Sequence, residues 1–197
     1  MKAFITGASG FVGGAATKRL VAEGCEVIAM SRTENSDGKI RALGATPSRC
    51  DLDSIVAANI AGCEIVVHAA AHVDAWGAVD DWDKANVQGT RNVLAAARAA
   101  GARRFIHIGT EAALVSGQDL INADETAPLA FDSPYPYCRT KALAEKAVLA
   151  ANDPDANFST IVLRPRFIWG PGDTTILPSV LEMAAAGTPG VSAVPFG

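Results

Sequence analysis

The sequence contains no cluster of basic residues: 17 Lys and Arg are scattered among 21 Asp and Glu, for a net charge of −4. Without a basic face there is no electrostatic footprint for a phosphate backbone, so nucleic acid is not an expected partner. No apolar run approaches the roughly 20 residues that span a bilayer, so no membrane partner is expected. The opening "MKAFITG" passes from a short apolar run straight into a glycine turn and lacks the apolar core and cleavage site of a secretory leader. Cys25, Cys50, Cys63 and Cys138 are too widely separated for a metal pattern or a close-set disulfide framework, which reads as reduced thiols in a cytoplasmic protein. His68, His72 and His107 do not complete a pattern such as HExxH, so no metal is expected and a structural role is favoured for all three. Internal repeats, low-complexity tracts and interdomain linkers are also lacking.

What the chain does have is the composition of a folded globule, 49% apolar and 19% charged. Short apolar runs, "KAFIT", "EVIAM", "EIVVHAA", "RFIHIG" and "STIVLRP", read as buried strands. Between them, "GFVGGAATKRLVAEG", "LDSIVAANIAG", "WDKANVQGTRNVLAAARAAG" and "RTKALAEKAVLAAN" read as helices, and a weak extra strand falls near "GATPSRC". Strands apolar on both faces, alternating with helices, imply an α/β fold with a doubly wound parallel sheet covered on both sides. The tail, "PGDTTILPSVLEMAAAGTPGVSAVPFG", is rich in Gly and Pro and reads as having no closing strand or helix.

Between the first strand and first helix stands "TGASGFVGG". In this context Gly7 permits a sharp turn, Gly10 lets a pyrophosphate approach backbone N–H groups at the helix N-terminus, and Gly13 permits close helix–sheet packing. The pattern therefore predicts a dinucleotide site. An acidic residue at the end of the second strand would bind a ribose 2′-hydroxyl, but "VIAMSRT" places Ser31 there, followed by Arg32. A guanidinium at this point favours the 2′-phosphate of NADP over NAD. Asp51, in "CDLDS", reads either as a contact for the adenine amino group or as an N-cap for the segment that follows.

Together these segments resemble the extended short-chain dehydrogenase/reductases, a family with sugar epimerases, dehydratases and 3β-hydroxysteroid dehydrogenases among its members. The resemblance runs through "TGASGFVGG", "DLD", "VVHAAA", "NVQGTRNVL", "HIGTEAA", "DETAPL", "YCRTK" and "LRPRFIWGPGD", nearly the whole chain. It implies a Rossmann-type NAD(P)-binding domain over residues 1–170, with 171–197 the incomplete start of a substrate-binding region, and so a chain shortened at its C-terminus. It also implies Tyr137 as the proton-exchanging acid/base, since it alone of the two tyrosines has a lysine four residues on. Lys141 would lower the Tyr137 pKa and bond the nicotinamide ribose, and Thr110 would orient the reacting oxygen, with Ser116 as the fallback. Phe11, Val12, Leu52 and Arg164 join Gly7, Gly10, Gly13, Ser31, Arg32 and Asp51 as implied cofactor contacts. Ala69, Ala70 and Ala71, after His68, would line the dinucleotide, and Asn86 would brace the strands beside it.

Glu111 follows Thr110 as in sugar-nucleotide dehydratases, but Ala112 stands where their second acid is found, which argues against elimination chemistry. Tyr135 reads as a packing or substrate-rim residue. The expected activity is hydride transfer between NADP or NAD and a secondary alcohol or ketone. "HIGTEAALVSG" and "LRPRFIWGPGD" look most like the 3β-hydroxysteroid dehydrogenase branch, hence an apolar, steroid-like substrate. A nucleotide-sugar 4-epimerase is the alternative within enzymes, and a non-catalytic dinucleotide sensor the alternative outside them. A homodimer, paired through the "NVQGTRNVL" and "YCRTKALAEK" helices, is the expected assembly.

Overall fold

The computed structural model describes residues 1–73, 79–174 and 176–185. The first strand β1 (Lys2–Thr6) leads through a glycine turn into α1 (Phe11–Ala22), and β2 (Glu26–Ser31), α2 (Glu34–Ala42) and β3 (Thr46–Arg49) follow. After a short α3 (Ala57–Ile60) comes β4 (Ile65–His68), and then α4 (Val79–Trp82) runs through a π-helical segment (Asp83–Gln88) into α5 (Gly89–Ala99). The chain continues with β5 (Arg104–Ile108), a 3₁₀ turn (Glu111–Leu114), α6 (Pro136–Ala150), β6 (Ser159–Leu163) and α7 (Ile176–Ala185).

The strands form one sheet in the order β3-β2-β1-β4-β5-β6, and each pairing is parallel. Strand order reverses between β1 and β4, which opens a crevice at their C-terminal ends, the place where sheets of this kind take a ligand. Alternate side chains reach opposite faces. Phe4, Val66 and Phe105 meet Val93, Leu94 and Val148 of α5 and α6 on one face, while Ile5, Ala29 and Val67 pack with Ile40 of α2 on the other. At the β6 edge the second face thins, leaving Ile161 52% and Leu163 46% exposed. No helix of the described residues is long and apolar enough to cross a membrane.

Three elements differ from the reading of the sequence. Helix α2, "ENSDGKIRA", carries no apolar helical period in the sequence, and Ile40 is its only buried residue. A capping box starts it instead, with Ser36 N donating to Thr33 Oγ1 and Thr33 N to Ser36 Oγ. The helix expected over 52–62 shrinks to Ala57–Ile60, because Asp51 folds 51–54 into a turn first. The tail does carry a helix, α7, whose first N–H groups, those of Ile176 and Leu177, donate to the Asp173 carboxylate. The rest of the tail, 186–197, lies outside the described residues.

Phe105 lies at the centre of the helical face, fully buried, with its ring 6.4 Å from that of Phe158 and 6.0 Å from His68. Truncating Phe105→Ala should destabilise the chain by about 4 kcal/mol through lost burial and the cavity left behind, read as a lower urea midpoint with an unchanged m-value.

Candidate active site

The glycine turn is built by contacts that no side chain could survive. Gly7 has φ +74°, and a Cβ there would stand 2.8 Å from Ala70 N and 2.9 Å from the Ala69 carbonyl. At Gly13 a Cβ would lie 2.2 Å from the Gly7 carbonyl oxygen. Gly10 N-caps α1 with no side chain to satisfy the first turn, so helix N–H groups from Phe11 onward face the crevice unclaimed by a cap. The positive end of the helix dipole points the same way, an arrangement that attracts anions. Phe11 and Val12 sit half-buried in that first turn, and the Phe11 ring closes on Gly170 and Gly172.

At the end of β2 the expected residues separate. Ser31 is buried, and its hydroxyl is engaged with Thr33 O at 3.1 Å and Ser36 Oγ at 2.8 Å, so it serves the α2 cap. Arg32 is exposed and takes part in no ion pair among the described residues. Asp51 Oδ1 accepts from Asp53 N, Ser54 N and Ser54 Oγ, bonds that hold its carboxyl below the usual range. Its capping role is therefore real, though in a turn and not on the expected helix. Leu52 packs against Gly89, and its carbonyl accepts from Asn92 Nδ2 at 2.8 Å.

Ala69, Ala70 and Ala71 follow β4 half-buried beside Gly7. Asn86, from the π-helical segment, clips the chain leaving them: His72 N donates to its Oδ1 at 2.8 Å, and its Nδ2 donates to His72 O and Thr140 Oγ1. It ties the loop after β4 to α6, where the resemblance implied a brace between strands.

Helix α6 begins at Pro136, earlier than its periodicity indicated, which places Tyr137 in its first turn and Tyr135 at the N-cap. Tyr137, Lys141 and Glu145 follow at intervals of four and so share one helix face. Lys141 is buried, and its Nζ donates to Ile108 O at 3.1 Å, drawn to the end of β5. Burial drives its pKa down to about 8, against the raising influence of Glu145. The Tyr137 phenol is raised above its ordinary value by burial, partly offset by a hydrogen bond from Thr110. Lys141 lies one turn along α6 from Tyr137, with its ammonium donating to Ile108 O.

Thr110, two residues past β5, N-caps the 3₁₀ turn, accepting from Ala112 N at 3.2 Å. Ser116 is exposed and donates to Gln118 Oε1, so the structure does not bring it to the phenol. Glu111 pairs with Arg166 at 3.0 Å. Arg164, for which the resemblance implied a cofactor contact, forks onto Glu145: Nε donates to Oε1 at 2.9 Å and Nη2 to the same oxygen at 2.5 Å. The Glu145–Arg164 pair was missed in the sequence, although Glu145 continues the Tyr137–Lys141 spacing. The four cysteines are unpaired, and no group of three potential metal-ligating side chains occurs among the described residues.

The profile of the 3-beta hydroxysteroid dehydrogenase/isomerase family matches residues 4–194. Over 184 residues the chain is 43% identical to a 4-hydroxy-2-methyl-3-oxo-4-farnesyl-3,4-dihydroquinoline-1-oxide ketoreductase of Stigmatella aurantiaca, covering 92% of this chain and 54% of that protein. It is 39% identical to a 2-alkyl-3-oxoalkanoate reductase of Stenotrophomonas maltophilia, covering 95% of this chain and 57% of the relative. The chain thus spans about half the length of the curated relatives it matches. Among solved structures, a short-chain dehydrogenase/reductase superfamily protein of Agrobacterium tumefaciens with bound NAD superposes with a TM-score of 0.70 at 27% identity, covering 83% of this chain and 48% of that one.

A lysine whose pKa falls from 10.5 to about 8 on folding binds fewer protons folded than unfolded between those values, so its burial opposes folding below pH 8 and the penalty fades as pH rises toward 10.5. Lys141→Met should therefore stabilise the fold at pH 7 by roughly 3 kcal/mol, with the gain shrinking above pH 8; denaturant unfolding at pH 7, 9 and 10.5 measures it.

Proposed function

Because the chain belongs to the 3-beta hydroxysteroid dehydrogenase/isomerase family, we propose that it is the dinucleotide-binding half of an NAD(P)-dependent oxidoreductase that acts on a secondary alcohol or ketone attached to an apolar body. The observation that carries this reading is the Tyr137 phenol, half-buried with Thr110 acting on it, on the same α6 face as the buried Lys141 one turn on. A phenol that is protonated at neutral pH can give its proton to a ketone oxygen as hydride arrives, and take it back in the reverse direction. The ketoreductase and reductase names of the relatives support the reductive direction.

Gly7, Gly10, Phe11, Val12 and Gly13 would hold the pyrophosphate, with Ala69–Ala71 beneath the dinucleotide and Asn86 fixing the chain behind them. A bound nicotinamide supplies the hydride. The residues of this chain do the rest. Thr110 positions the carbonyl oxygen and stabilises the tyrosinate left once Tyr137 has given up its proton. Lys141, mostly charged at pH 7 with a pKa of about 8, keeps hydrogens free beyond the one given to Ile108 O, enough to reach a ribose hydroxyl and to attract the returning proton. Residues 1–170 form the cofactor half, and 171–197 open the substrate region. An apolar substrate fits the exposed Phe167 and Trp169, 43% and 68% exposed, just past β6.

Tyr137→Phe tests the chemistry: turnover of a 2-alkyl-3-oxoalkanoate should fall on the order of 10³-fold, while affinity for the reduced dinucleotide stays within twofold. Survival of full turnover would defeat the mechanism. For cofactor choice, the exposed Arg32 favours NADPH. The thermal shift with NADPH should exceed that with NADH, and Arg32→Glu should reverse the order through repulsion of the 2′-phosphate.

A further inference from the structure

His68 ends β4 fully buried, and a count of hydrogens fixes its protonation. The only hydroxyl proton of Thr90 goes to Asn86 O at 2.6 Å, a carbonyl with none to return. The 3.0 Å contact between Thr90 Oγ1 and His68 Nε2 therefore requires Nε2–H as the donor. On the other side, Thr6 Oγ1 lies 2.7 Å from Nδ1 and accepts from the backbone N–H groups of Ala69 and Ala70 at 3.2 and 3.1 Å. With two donors arriving at its oxygen, Thr6 gives its own proton to Nδ1. Every hydrogen in the chain Ala69/Ala70–Thr6–His68–Thr90–Asn86 then has an acceptor, which the neutral Nε2–H tautomer alone allows.

The ammonium facing this imidazole opposes a second proton: Lys141 of α6 bears on it from one element, while the His107 ring of β5 lies 5.2 Å away, tilted by 34°, on another. Burial and the Lys141 charge push the His68 pKa down to about 3.

The far end of the chain is the floor of the candidate cofactor site. The Ala69 and Ala70 amides that Thr6 holds are the same backbone against which Gly7 packs with no room for a Cβ. We propose that His68, as its Nε2–H tautomer, is a positioning residue for the dinucleotide: it orients the Thr6 hydroxyl, which fixes the Ala69–Ala70 backbone, which sets the height of the glycine turn. This rests on the reading of residues 7–13 and 69–71 as a dinucleotide site.

Two measurements on the full 197-residue chain test it. Long-range ¹H–¹⁵N spectra of histidine-labelled protein should show His68 with a protonated Nε2 and a bare Nδ1, unchanged from pH 5 to 8; an Nδ1–H tautomer or an imidazolium in that range would overturn the proposal without reference to any cofactor. Titration with NADPH and NADH then compares the parent chain with Thr6→Val, His68→Phe and the double variant, each checked for folding by urea unfolding. The expected result is roughly tenfold weaker binding in each single variant, and no further loss in the double, since both act through one clamp. Variants that lose stability but bind as tightly as the parent would make the network merely structural and sink the proposal. A parent chain that binds neither dinucleotide would instead overturn the cofactor reading itself, while the tautomer measurement still stands.

Discussion

An ammonium group buried between sheet and helix constrains the charges around it. Among the described residues Lys141 has the Ile108 carbonyl as its hydrogen-bond partner, and it is only 3% exposed, so its charge must be supported by the surrounding field. Glu145, one turn further along α6, supplies the opposite sign, but a buried carboxylate would itself be costly. Arg164 resolves this by meeting Glu145 with both ends of its fork. The neighbouring imidazoles of His68 and His107 are held neutral by burial and by the same ammonium. A buried lysine that reaches from α6 to the end of β5 thus goes with an ion pair behind it and two uncharged rings beside it.

The other organising constraint is backbone proximity. The crevice exists because strand order reverses between β1 and β4, yet its usefulness depends on how closely the loops leaving those strands approach each other. Gly7 against Ala69–Ala70 and Gly13 against Gly7 bring three backbone segments to the distance of van der Waals contact. Side chains then hold what the glycines allow: Thr6 and Asn86 bind the β4 loop from opposite ends, and through Thr140, whose hydroxyl donates to Tyr137 O, the brace reaches the turn that carries the phenol.

The parts of this arrangement that repeat along the chain were legible in the sequence. The strand runs, the glycine turn and the Tyr137–Lys141 spacing each follow a period or a fixed offset, and the structure places them on the elements expected. What escaped has no periodic signal. Helix α2 is polar nearly all round, so only its Thr33–Ser36 cap betrays it. The turn at 51–54 arises from Asp51 competing with helix for its own neighbours' N–H groups. The destination of Arg164 and the raised pKa of Tyr137 depend on residues brought together from distant segments, and on burial, which no local pattern reports. The role of His68 belongs to the same class: its motif was visible, but not the two threonines that fix its proton.

The π-helical segment that carries Asn86 has a consequence for how this chain can change over time. A π turn holds an additional residue compared with an α turn, so the register of everything after it, Thr90 and Asn92 included, is tied to that extra residue. Deleting one position between Trp82 and Gly89 would turn α5 by about 100° relative to α4, carrying Asn86 away from His72 or Thr90 away from His68. Insertions and deletions in the lineage should therefore collect in surface turns such as 116–124, while the length from Trp82 to Leu94 stays fixed.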